Sequence, residues 1–220
     1  MQPTFLPWCG YFKLMQSCDI FVFLDNVQFD KRSWQQRNRF NINSKEHFLT
    51  VPILSKNKYY QLIKDTKIDN SQNWKLKHLK TLSHIYKSTP YFSKYFDIIN
   101  KIYEKKFDLI SELNICIIET IARELNIKKK FFQSSKILSK DYEATDRLIE
   151  IIKKLECRTY ISPKGSKSYL DKNKFKYNEV ELEFFEYTPK AYNQINNKKF
   201  IPNLSILDFL FNCDNNIDAI

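Results

Sequence analysis

Two glycines, Gly10 and Gly165, are all that 220 residues contain, and this scarcity limits the available architectures more than any other feature. Phosphate-cradling loops need several closely spaced residues that tolerate positive φ or close backbone approach. Neither a Walker loop nor a GxGxxG fingerprint can therefore be built here. The cysteines are equally uninviting: Cys9, Cys18, Cys116, Cys157 and Cys213 are odd in number and scattered, with no CxxC pair. A disulfide framework and structural zinc are not expected, and unpaired thiols suit a reducing cytoplasm. His47, His78 and His84 form neither HExxH nor HxH, so neither a metal site nor a cofactor is expected.

With 43% hydrophobic and 15% aromatic side chains, the chain can bury a sizeable core. The longest apolar runs, IFVFL and ICIIETIA, fall well short of the roughly 20 residues of a spanning helix. The opening MQPTFLPW has no basic segment leading into an apolar one, so a cytoplasmic protein without a membrane span is expected. The formal charge is +11, but Lys, Asn and Ile abound throughout, so its distribution is more telling. Residues 1–110 hold 18 Lys and Arg against 9 acids, and residues 111–220 hold 18 against 16. The anion-attracting surface should lie in the first half, where nucleic acid, a phosphorylated small molecule and an acidic protein all remain open as partners.

Along the chain, YFKLMQSCD reads as a short helix and IFVFLD as a strand. Residues 26–40 read as a basic loop, 48–54 and 61–68 as further strands, with Pro52 interrupting the first. From Trp74 to about Arg123 the period becomes helical, giving three amphipathic helices whose apolar faces, together with His78 and His84, are assigned to packing. FFQSSKIL reads as a strand, Thr145 as a helix cap, CRTYIS and VELEFFEY as strands, and SILDFLFN as a closing helix. Alternating strands and helices predict an α/β fold, a Rossmann-like layered sheet with a helical insertion over about 72–127.

Chemistry concentrates between Gln2 and Arg39. Asp25 follows directly on the IFVFL strand, and carboxyl ends of strands are where α/β proteins gather reactive groups, so it is the first catalytic candidate. A turn-capping role for Asp25 is the alternative. Gln28, Lys31, Arg32, Arg37, Asn38 and Arg39 surround Trp34, a mixture able to clamp a phosphate or carboxylate while a ring covers a base or sugar. A solvated basic loop is the competing reading. SPKGSKSYL offers Lys164 and Ser166 around Gly165 as a second anion site or a plain turn. In YTPKAYNQ, Tyr192 and Gln194 suit sugar or amide recognition.

Taken together, QPTFLPWCGYF, LDNVQFDKRSWQQRNRF, LTVPI, YISPKGSKSYL and PKAYNQ with FIPNLSILDFLFN resemble the WbqC-like family, in order and along nearly the whole chain. The resemblance implies a single α/β domain over residues 1–220 and a role in bacterial surface polysaccharide (O-antigen) biosynthesis. It further implies an enzyme that transfers glycine or another acyl group onto the amino group of a nucleotide-linked amino sugar. Asp25 would then be the general base and Lys31 its catalytic companion. Gln2, Trp8, Tyr11, Gln28, Arg37, Asn38, Arg39, Lys164, Ser166, Tyr192 and Gln194 would bind substrate. The activated acyl donor would be an aminoacyl-tRNA or an acyl-carrier protein. A tRNA or other polyanion-binding module and a nucleotidyltransferase-like enzyme stand as alternatives. Three departures from the family pattern matter. Met1 stands where relatives carry a short apolar strand before the QP motif, Cys9 replaces an apolar residue, and Thr188 stands where a histidine often precedes the proline. The last two withdraw support from Cys9 as a nucleophile and from an acid/base role at residue 188.

Overall fold

A computed structural model describes residues 1–42, 45–56, 58–195 and 199–219. Helix α1 (Cys9–Gln16) leads into β1 (Ile20–Phe23), followed by β2 (Arg37–Ile42) and β3 (Lys45–Thr50). Three helices come next: α2 (Trp74–Tyr86), α3 (Phe92–Glu104) and α4 (Ile110–Glu124). The second half runs β4 (Lys130–Gln133), α5 (Ser134–Ile137), α6 (Ala144–Lys154), β5 (Thr159–Pro163), α7 (Lys172–Tyr177), β6 (Glu181–Phe185) and α8 (Ile206–Cys213). The fold is mixed α/β.

The strands join in pairs. β1 lies parallel to β4 with Ile20 opposite Lys130, β5 lies parallel to β6 with Thr159 opposite Glu181, and β2 pairs antiparallel with β3. Among the described residues these ladders stay separate two-stranded sheets and do not merge into the Rossmann-like sheet that the alternation of elements predicts. Other local expectations also shift. Arg37, Asn38 and Arg39 are not loop residues: they open β2, which alternation of buried and half-buried residues marks as a strand despite its polar sequence. Residues 61–68 form only a 3-10 turn at Ile63–Asp65 and isolated bridges, such as Ile53 with Ile68. SSKI leaves the strand to form α5, because both serines turn back to bond Asp25. Thr145 lies inside α6 instead of capping it, and its hydroxyl accepts from the Asp171 amide at 3.1 Å.

The main core gathers Phe12 of α1, Phe23 of β1, Phe40 of β2, Leu82, Ile99 and Ile117 of the three central helices, and Phe209 of α8. The helical block thus shares one core with the strands that flank it. His78 belongs to this core, with ring nitrogens 3.2 Å from the Tyr103 hydroxyl and 3.1 Å from the Thr50 carbonyl oxygen. Burial pushes its pKa down to about 4, so it is neutral there, whereas His84 is exposed. A second, smaller cluster packs Leu148, Ile149 and Ile152 of α6 against Phe175 of α7, Leu170 and Val180.

Scarce glycine leaves its mark at the helix ends. α4, α6 and α7 close in turns where Asn126, Glu156 and Glu179 take φ of 57°, 53° and 56°. In each, the next amide reaches back to a carbonyl in the last helical turn, as Val180 N–H does to Phe175 O at 3.0 Å. An L-residue is strained in that conformation and glycine is not. Glu179 is exposed and its side chain packs little. Glu179→Gly should accordingly raise stability by about 0.5–1 kcal/mol, read as a higher denaturation midpoint in urea; a lower midpoint would refute the strain argument.

Candidate functional site

A cleft of about 310 Å³ opens where the QP loop, the start of α1, the turn before β2 and the segment before α8 meet, lined by Met1, Thr4, Trp8, Tyr11, Trp34, Asn38 and Asn203. Three aromatic rings with the Thr4 hydroxyl and the Asn203 amide suit a flat or puckered ring that also carries hydrogen-bonding groups. Trp8 is set edge-on to Tyr187, with centroids 5.2 Å apart, and packs directly over Gly10. A Cβ at Gly10 would lie 2.4 Å from the Trp8 indole and 2.8 Å from Tyr187. Gly10 is therefore required for close approach, not for a turn. Gly165, by contrast, has open space around it and no positive φ.

The cleft's walls depend on two strained loop residues. Leu6 and Asn203 have φ of 44° and 58°. β2 holds both loops. The Asn38 side-chain amide donates to Phe5 O at 3.1 Å and Leu6 O at 2.7 Å, while its own oxygen accepts from the Arg39 amide at 2.8 Å. The Arg39 guanidinium donates to Asn203 O at 3.2 Å and Pro202 O at 3.4 Å, is paired with Glu46 at 2.7 Å, and lies 5.6 Å over the Trp34 ring. Arg37 stacks 4.4 Å over Phe48, and Trp34 and Phe48 are both about half exposed, at 49% and 44%.

Of the residues anticipated from sequence, the cleft brings together Trp8, Tyr11 and Asn38, with Arg39 bonded behind it. Tyr11 is buried and donates to Gln2 O at 3.0 Å, and burial pushes its hydroxyl well above the usual range. The Gln2 side-chain oxygen accepts from Gln35 at 2.9 Å. Lys31 and Gln28 are exposed on the segment before Trp34. The others lie outside the cleft lining. Lys164 is an exposed partner of Glu186 at 2.9 Å, and Ser166 is buried, donating to Pro163 O at 2.7 Å and sharing a 2.6 Å contact with Ser162. Tyr192 donates to Asp208 at 2.8 Å, and Gln194 pairs both ways with the Ile201 backbone.

Asp25 also stands outside the cleft lining. It is buried, and its carboxylate accepts from the Ser135 amide at 2.9 Å, the Ser135 hydroxyl at 2.6 Å and the Ser134 hydroxyl at 3.0 Å. These contacts tie the end of β1 to α5. The sequence reading missed Asp208, Asn114 and Gln35. Asp208 accepts from Tyr86 at 2.7 Å as well as Tyr192, and burial raises its pKa. An acid within the apolar run SILDFLFN was the available signal. Burial and the nearby Asp208 also push the Cys9 thiol up, the opposite of an activated nucleophile. Asn114 donates to Pro3 O at 3.0 Å and Gln35 O at 2.8 Å, bracing the QP loop from beneath.

Two substitutions separate these roles. Asp25→Asn should lower stability by about 2 kcal/mol or more, because charge-assisted bonds from buried donors are lost; an unchanged thermal midpoint would return Asp25 to a purely chemical role. Gly10→Ala should displace the Trp8 indole, visible as altered tryptophan fluorescence, at a cost of about 1–3 kcal/mol; an unaltered spectrum would contradict the packing described.

The family model for the WbqC-like protein family matches residues 2–219. The chain is 31% identical over 218 residues to the uncharacterized protein Rv1507c of Mycobacterium tuberculosis, covering 96% of this chain and 91% of that relative. No solved structure gives a significant match. Matched from Gln2 nearly to its last residue, the chain belongs to the WbqC-like protein family.

Proposed function

We propose that the chain is an enzyme of bacterial surface polysaccharide biosynthesis that transfers glycine or another acyl group to the amino group of a nucleotide-linked amino sugar. The observation that carries this reading is the cleft walled by Trp8, Tyr11 and Trp34, with Thr4 and Asn203 among its polar groups. Aromatic faces stack on the apolar face of a sugar ring while amides and hydroxyls read its substituents. The exposed Lys31 and Arg32 on the turn before Trp34 would meet the diphosphate. In the reaction an amide N–C bond forms as the acyl bond to its donor breaks, and the proton lost by the amine is taken up by the departing donor group. Asp25, already held by three donors, would position the end of β1, and Lys31 would stabilise the anionic donor or leaving group. The donor is read as an aminoacyl-tRNA or an acyl-carrier protein, and the protein as cytoplasmic; among the described residues no helix is long and apolar enough to cross a membrane.

One observation favours a second reading. Trp34 and Phe48 are exposed, and each lies beneath a guanidinium, an arrangement that stacks nucleic-acid bases beside phosphates and would make the chain a tRNA or polyanion binder. Thermal unfolding against nucleotide-linked amino sugars, magnesium nucleotide triphosphates and bulk tRNA separates the readings. A ligand at about one hundred times its dissociation constant adds roughly 2.7 kcal/mol. Stabilisation by a nucleotide-linked amino sugar that survives high salt and is lost in Trp8→Ala is expected. Stabilisation by tRNA alone, abolished by salt, would replace the enzyme with the polyanion binder.

A further inference from the structure

The β2–β3 hairpin turns one face outward beside the cleft. Alternation along β2 sends Asn38 and Phe40 to the core and leaves Arg37 and Arg39 half-buried on the other side. Residues directly opposite across an antiparallel pair share a face, so Thr50, opposite Arg37, and Phe48, opposite Arg39, lie on that side too. Trp34 connects this face to the cleft: it lines the cleft, and its ring lies 6.2 Å from that of Phe48, the two planes inclined by 32°. The Arg37 guanidinium stands 4.4 Å from the Phe48 ring centroid and has no carboxylate partner among the described residues.

We infer, on the reading of the substrate as a nucleotide-linked amino sugar, that Phe48 seats its nucleobase while the sugar enters the cleft beyond Trp34. A guanidinium and a base are both flat and delocalised and both stack on an aromatic face, so the base takes the place of Arg37 over the ring. Arg37, with no carboxylate to hold it, turns to the diphosphate and joins the exposed Lys31 and Arg32 of the turn before Trp34. The exposed Thr50 hydroxyl offers a donor and an acceptor to the edge of the base. The face fits one nucleotide and not a strand. Single-strand binders carry successive rings along a basic track. Here Trp34 is a wall of the cleft, Phe48 is the one ring on the outward side of the described hairpin, and Glu46, an acid paired with Arg39, occupies the next outward position along β3.

Calorimetric titration of the full chain with uridine, thymidine, cytidine, guanosine and adenosine diphosphates, and with a single-stranded RNA of mixed sequence, tests the site. At least one diphosphate is expected to bind, Phe48→Ala weakening it about tenfold or more and Phe48→Tyr retaining it. Phe48 is exposed, so neither variant disturbs the core. No binding by any of these diphosphates, or equal affinity in Phe48→Ala, would overturn the base site. RNA held more tightly than every diphosphate and released by Phe48→Ala would assign the face to a nucleic-acid strand and overturn it too. The base site and the acyl transfer fail separately. Diphosphate binding at Phe48 by a protein that acylates no nucleotide-linked amino sugar keeps the site and removes the reaction. An acylated nucleotide-linked amino sugar whose KM is the same in Phe48→Ala keeps the reaction and removes the site.

Discussion

The Asn38 side chain is the contact on which the cleft depends. Its amide bridges from β2 to the carbonyls of Phe5 and Leu6, and Leu6 is held with φ at 44°. A buried leucine in the left-handed region persists only where its surroundings over-determine it. Asn114 supplies the second restraint by gripping Pro3 O and Gln35 O, which links the QP loop to the turn that carries Trp34. The QP loop and the Trp34 turn are thus joined by two asparagine amides, by the Phe5 N–H bond to Trp34 O and by the Gln35 bond to Gln2. Several residues that look like ligand-binding groups in the sequence, Asn38, Arg39 and Gln194 among them, are thus engaged by backbone.

The same economy recurs at the two buried carboxylates. Asp25 joins β1 to α5 through Ser134 and Ser135, and Asp208 joins α8 to α2 and the final loop through Tyr86 and Tyr192. Each carries its negative charge or shared proton inside a set of donors, the condition under which a buried carboxylate is tolerated. Cys9, close enough to Asp208 to feel its charge, is held as a neutral thiol. The polar interior is thus a set of ties between loops and helices.

Legibility from sequence followed the strength of the periodic signal. The three central helices and the strands IFVF and ELEFF stand where their apolar spacing puts them. Failures fell where a tertiary partner overrode local preference. RNRFNI is too polar to announce a strand, yet it pairs along its whole length with Lys45–Thr50. SSKI turns helical because Asp25, more than a hundred residues earlier in the chain, binds its serines. Lys164, read in sequence as part of an anion site, pairs with the exposed Glu186, and Ser166 donates to Pro163 O.

By itself the sequence determined the α/β class, the amphipathic faces that form the core, the absence of glycine-rich phosphate loops and, through ordered motifs, the family. These properties reside in local periodicity and composition, which the chain carries before it folds. Only the tertiary structure decided which of the signature residues face a cleft and which tie loops together. A side chain's free donors and acceptors depend on neighbours remote in sequence, and no spacing rule reveals whether Asn38 will meet a ligand or the carbonyls of Phe5 and Leu6.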